Sequence, residues 1–136
     1  MTRMIFINLP VSDLKPAMAF YTAIGFTNNP HFSDETAACM VLSDAIHVML
    51  LTHDKWRTFT DRPIPPKTSS EVALCLSCEN RDVVDGLAKI AAENGGQADI
   101  NPIMDLGFMY SRSMTDLDGH VWEMMWMDPA AIPPAN

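Results

Sequence analysis

The sequence predicts an α+β domain assembled from two copies of a strand–helix–strand–strand–strand unit. Three observations predict it. First, the apolar segments and their breakers run through that order twice along the chain. Second, short stretches echo one another at corresponding places. Leu9-Pro10-Val11-Ser12 answers Cys75-Leu76-Ser77-Cys78 where a strand gives way to a helix, and Asp44-Ala45-Ile46-His47-Val48-Met49 answers Asp118-Gly119-His120-Val121-Trp122-Glu123. Third, 136 residues that are 48% hydrophobic and 19% charged match one ordinary globular domain with a core of its own. In each unit one amphipathic helix covers one sheet face, so the other face needs the second unit or a second chain.

The first strand is expected from Arg3 to Val11. Ser12 or Asp13 then caps a helix that tolerates Pro16 in its first turn, carries Leu14, Met18, Tyr21 and Ile24 at helical spacing, and stops at Gly25. Extended segments follow at Phe26–Phe32, Ala37–Leu42 and Ile46–Thr52, separated by turns at Asn29-Pro30 and Ser43-Asp44-Ala45. The polar, proline-bearing stretch 54–70 reads as a linker, with one helical turn around Trp56–Phe59. The pattern then restarts with a strand over Glu71–Cys78. Asn80 caps a helix with Val83, Leu87, Ile90 and Asn94 on one face, and Gly95-Gly96 ends it. Strands are expected at Ala98–Ile103, Phe108–Thr115 and Val121–Met127, with Asp116-Leu117-Asp118-Gly119 as the turn before the last. Module 1 thus spans about 1–53 and module 2 about 71–128, and Pro129, Pro133 and Pro134 mark 129–136 as a tail.

A formal net charge of −8 without a basic cluster argues against nucleic acid and anionic membrane surfaces as partners. No run of about eighteen apolar residues occurs, and the opening MTRMIFINLPVSD lacks the features of a signal peptide. Cys39, Cys75 and Cys78 are odd in number and define no disulfide framework, so the expected location is the reducing cytoplasm. Cys75-Leu76-Ser77-Cys78 spells C-x-x-C, but along a strand two residues three apart point to opposite faces, which suits two separate thiols.

Asn8-Leu9-Pro10-Val11-Ser12-Asp13-Leu14, with Ala19-Phe20-Tyr21 and Gly25-Phe26, resembles the first module of the vicinal oxygen chelate superfamily, which includes glyoxalases, bleomycin-resistance proteins, fosfomycin-resistance enzymes and extradiol dioxygenases. Asp116-Leu117-Asp118-Gly119-His120-Val121-Trp122-Glu123 is similar to that superfamily's D-P-D-G-x-x-x-E signature. The resemblance spans nearly the whole chain. It implies eight strands arranged as an incomplete barrel around a cleft, pairing of modules in a homodimer, and a small-molecule ligand. It further implies four metal-holding positions, which fall here on Phe6, Met49, Val72 and Glu123; a shift of two residues substitutes Asn8, His47 and Leu74 for the first three. Neither set provides the three or four N/O ligands that such a metal needs. No cofactor is therefore expected, and Glu123 with His47 would be the nucleus of any divalent metal site.

Glu123 is the sharpest candidate for catalysis. It shares strand parity with Val121, Met125 and Met127 on a largely apolar strand, where a carboxylate needs a partner or a wet cavity. A structural ion pair with Arg112 and a general base facing a cavity are the two readings. His47 has the parity of Met49 and is either a satisfied structural group or part of the same face. Asn8, Ser111 and Ser113 are candidate polar groups there, with Tyr110 and Arg112 on the opposite parity unless a bulge exchanges the two sets. Met49 and Met125, among eleven methionines, suit an adaptable apolar wall beside Phe6 and Val72. The expected function is a small-molecule pocket of the glyoxalase and bleomycin-resistance type, without the full metal set, binding or acting on an apolar or aromatic ligand through Glu123. The alternatives are a metal-dependent glyoxalase-like lyase or extradiol dioxygenase, and a protein-contact module whose pocket is filled by its own side chains.

Overall fold

The computed structural model describes residues 1–131, so the expected tail lies outside the described residues from 132 onward. Module 1 contains β1 (Ile5–Val11), α1 (Leu14–Ala23), β2 (Thr27–Asn29), β3 (Ala37–Val41) and β4 (Ile46–Thr52), followed by the short α2 (His53–Trp56). Module 2 contains β5 (Ala73–Ser77), α3 (Arg81–Glu93), β6 (Gln97–Ala98), β7 (Met104–Asp105), β8 (Met109–Thr115) and β9 (Val121–Met127). The sheets run β1-β4-β3-β2 and β5-β9-β8-β6, with β7 also pairing with β8. In both, the first strand lies parallel to the last and the other pairs are antiparallel, so the repeat read from the sequence is a repeat of topology.

Two strands depart from expectation. The segment Ala98–Ile103 is not one strand: β6 and β7 pair with different parts of β8, and the chain between them leaves the ladder. Asp99 adopts a positive φ of 57°, and Pro102 has no N–H to donate. The freed backbone is satisfied instead by Ser113, whose carbonyl accepts from Asp99 N and whose hydroxyl accepts from Asn101 N. The segment after Phe26 is cut to three residues because Pro30 starts a 3-10 turn capped by the Asn29 side chain.

Both helices turn small residues toward the sheets. In α1 the buried positions are Leu14, Ala17, Phe20 and Tyr21; in α3 they are Val84, Ala88 and Ala91, one position on from the expected Val83–Leu87–Ile90 stripe. Alanine permits close approach of helix to sheet, and Val83 is left 38% exposed.

The modules are joined through these helix-covered faces. Leu9, Val11, Ala38, Met40, Val48 and Leu50 of the first sheet and Met114, Trp122 and Met124 of the second belong to one core. The fully buried Trp122 ring lies 6.0 Å from Tyr21 and 5.9 Å from Phe26, both edge-on, so the second sheet presses onto α1 and the start of the segment leading to β2. The buried polar atoms close on themselves. Trp122 Nε1–H donates to the Tyr21 hydroxyl at 3.0 Å, the hydroxyl donates to Asp116 Oδ2 at 2.6 Å, and Asp116 Oδ1 accepts from the N–H groups of Asp118 and His120. At the margin, Ser12 N donates to Asp118 Oδ1 and His120 Nε2–H to the Pro10 carbonyl. Because the helix-covered faces look at each other, the opposite face of each sheet points outward. No helix among the described residues is long and apolar enough to cross a membrane.

Tyr21→Phe removes the central hydroxyl and leaves the Trp122 N–H and an Asp116 oxygen buried without partners. Chemical denaturation should show a loss of about 2–3 kcal/mol. Burial, the largest influence, raises the Asp116 carboxyl above its ordinary range. The native state then binds this proton more tightly than the unfolded chain. The contribution of Asp116 to stability therefore declines as pH rises from about 4 through the native value. The stability difference between wild type and Asp116→Asn should shift against the wild type across that window, and a pH-independent difference would contradict the assignment.

Candidate functional site

The outward face of the first sheet is set by the register of β1, β4 and β3. Phe6 lies opposite His47, and Asn8 opposite Met49, which in turn faces Cys39. The Phe6 and His47 rings stack with centroids 4.4 Å apart and planes 16° from parallel. His47 Nδ1 is buried and has no hydrogen-bond partner. Phe6 remains 48% exposed, next to the similarly exposed Ile5 and Met4.

The outward face of the second sheet is built the same way. Glu123 is flanked by Ser113 on β8 and Cys75 on β5, and Ser111 lies opposite Met125. No bulge interrupts this register, so Ser111 and Ser113 do share the Glu123 face. Tyr110 and Arg112 face α3. The Tyr110 hydroxyl donates to Asp85, and Arg112 pairs with Asp99 at 2.7 Å and Asp85 at 2.9 Å. The proposed Arg112–Glu123 pair is therefore absent, because alternation along β8 and β9 puts the two groups on opposite sides of the sheet.

Val72 departs from the face expected for it. It precedes β5 and has the parity of Leu74, whereas Ala73, Cys75 and Ser77 have the parity of Glu123. Val72 instead borders a cleft at the β5 edge, together with Asn8 from the β1 edge. Cys75 is the residue that strand reasoning separated from Cys78 without connecting it to Glu123. Parity between the parallel strands β5 and β9 was the missing information. Its exposed thiol is held above the usual range, first by burial of the sulfur and then by the adjacent Glu123 charge.

Within one chain the expected site residues thus form two groups, one on each sheet. Phe6, Asn8, His47 and Met49 make one; Ser111, Ser113, Glu123 and Met125 make the other. His47 and Glu123 do not meet. Among the described residues no three His, Cys, Asp or Glu side chains form a group able to hold a metal ion, so no chemical step is derived through one.

This two-sheet α+β arrangement is the fold of the glyoxalase/bleomycin resistance/dioxygenase proteins. A family enzyme of that description from Burkholderia phytofirmans superposes with a TM-score of 0.77 at 14% identity, over 93% of this chain and 99% of the other. The fosfomycin resistance protein FosX from Listeria monocytogenes superposes with a TM-score of 0.68 at 15% identity, over 100% and 96%. TnmS3, an antibiotic binding protein from a Streptomyces species, gives 0.64 at 19% identity, over 93% and 97%. The likeness is one of fold. No protein-family model and no curated protein matches the sequence.

Glu123→Gln removes the negative charge beside Cys75 without changing shape. The Cys75 thiol should then ionise at lower pH and react faster with iodoacetamide near pH 8, while Cys39 on the other sheet keeps its rate. Because burial is the larger influence, the thiol should stay above the value of an exposed cysteine.

Proposed function

We propose that this chain forms a homodimer in which the outward face of module 1 from one copy and of module 2 from the other enclose a pocket for a small apolar or aromatic molecule. The observation that carries this reading is the composition of the two faces. Phe6, Met49 and Met125 supply an adaptable apolar wall, with Asn8, Ser111 and Glu123 as the few polar groups that orient a ligand; the expected Ser113 is buried, its hydroxyl taken by Asn101 N. A half-exposed Phe6 beside Ile5 and Met4 is also the kind of surface that a second copy removes from water. The antibiotic-binding description of one structural neighbour supports the same direction. Glu123, which makes no hydrogen bond to another side chain among the described residues, is the general base if the bound molecule is also transformed. The unpaired cysteines among the described residues support a reducing, cytoplasmic setting.

A metal-dependent lyase or dioxygenase is the second reading, and the unpartnered His47 Nδ1 favours it. It requires His47 from one copy to join Glu123 and Cys75 of the other, a set with fewer hard donors than such chemistry ordinarily uses.

Elemental analysis after incubation with Fe(II), Ni(II), Zn(II) and Mn(II) separates the two. The expected result is no retained metal. One ion per chain, lost in His47→Ala, would overturn the metal-free reading. Sedimentation velocity should show a dimer that Phe6→Asp converts to monomer. Neutral naphthalene derivatives should shift the methyl resonances of Met49 and Met125 in the dimer and lose that effect in the monomer.

A further inference from the structure

The connection between the modules carries four of the chain's nine lysines and arginines but two of its seventeen acidic residues, a local excess of positive charge in a chain of net charge −8. It also roofs a cleft of about 610 Å³, a size that suits a small organic molecule. Leu9 and Pro10 from the β1 end and Leu74 and Val121 from the second sheet make its apolar walls, and Trp56 and Arg62 enter from the connection. Two side chains there carry donors with no protein acceptor among the described residues, Arg62 being exposed to solvent. Trp56 Nε1 is buried without a partner, and the Arg62 guanidinium pairs with no carboxylate among the described residues. The other cations of the connection are engaged: Arg57 with Asp54, Lys55 over the Phe59 ring, and Lys67 through its ammonium to the Leu117 carbonyl.

The cleft is preformed. Gly119 has a φ of +85°, and a Cβ there would run into the Lys67 carbonyl, so the backbone of the connection lies directly on the β8–β9 turn. Pro63, Pro65 and Pro66 restrict the rest of it. A buried indole N–H and a free guanidinium over an apolar floor ask for a ligand with acceptor oxygens at one end and a hydrocarbon body behind them.

We propose that this cleft, at the β1 and β5 edges beside the outward sheet faces, is a second binding site for a small carboxylate with an apolar or aromatic body. Its carboxylate pairs with the exposed Arg62 guanidinium, its body lies against Leu9, Pro10, Leu74 and Val121, and the Trp56 ring, whose Nε1 is shut off from solvent, turns to donate to the same carboxylate. Glu71, also on the wall, opposes the anion and sets an upper limit on affinity.

The test is titration of the full-length protein with 2-naphthoate and with the neutral 2-naphthalenemethanol, followed through the indole N–H resonances. The chain has three tryptophans, and Trp56→Phe identifies the relevant signal. The expected result is a saturable shift of the Trp56 resonance by 2-naphthoate, with binding of the neutral compound weaker by about tenfold or more. Arg62→Gln should remove that preference, and Glu71→Gln should tighten carboxylate binding. A shift that grows without saturating, equal binding of the two compounds, or an unmoved Trp56 resonance would each overturn the proposal. The Met49 and Met125 methyl signals report the outward faces separately, so failure at one site is distinguishable from failure at the other.

Discussion

Everything about where chemistry can occur in this protein depends on the contact of Trp122 with Tyr21 and Phe26. Trp122 stands on the helix-covered face of the second sheet, and the two aromatic residues belong to the helix layer of the first module. Their edge-on packing removes large apolar surfaces from water. It also brings three polar groups into a nearly dry space, which the Trp122–Tyr21–Asp116 chain satisfies without bulk water. The buried carboxyl at its end accepts from the turn that starts β9, so the D-x-D-G segment locks the module junction as well as reversing the chain.

From that junction follows the direction of everything else. Two sheets whose helix-covered faces are joined must present their other faces outward, which separates His47 from Glu123 within a chain. Each face is chemically mixed. The first is dominated by a stacked Phe6–His47 pair, the second by a carboxylate between a serine and a thiol. Met4, Ile5 and Phe6 are left about half exposed beside the first face. The fold shared with enzymes and with an antibiotic binding protein does not choose between binding and catalysis. That choice rests on the side chains of the two faces, for which a pocket for an apolar body is the reading proposed above.

The connection between modules is ordered by the same junction. Because the β8–β9 turn is fixed by Asp116, Gly119 offers a flat place for the Lys67 backbone, and Pro63, Pro65 and Pro66 just before it restrict the chain there. A stretch that composition marks as a polar linker thereby becomes the roof of a cleft, with one basic residue and one indole N–H left without acceptors.

Much of the local structure was legible from residue order. Asn80 as a cap, Gly25 and Gly95 as helix ends, and the shared face of Ser111, Ser113 and Glu123 all follow from interactions within a few residues or from the two-residue period of a strand. The split of the expected 98–103 strand was partly legible, since Pro102 was visible, but the positive φ of Asp99 and the capture of its neighbours by Ser113 are contacts across the sheet. The face of Val72 was missed because the start of β5 is set by pairing with β9, a strand almost fifty residues away along the chain. By itself the sequence determined two α+β modules, their order of elements and the chemical character of each strand face, because those depend on local periodicity and capping. Only the tertiary structure decided that the modules join through their helix sides and that Cys75 flanks Glu123. It also decided that Trp56 and Arg62 overhang a cleft, because each of these rests on which distant surfaces bury one another.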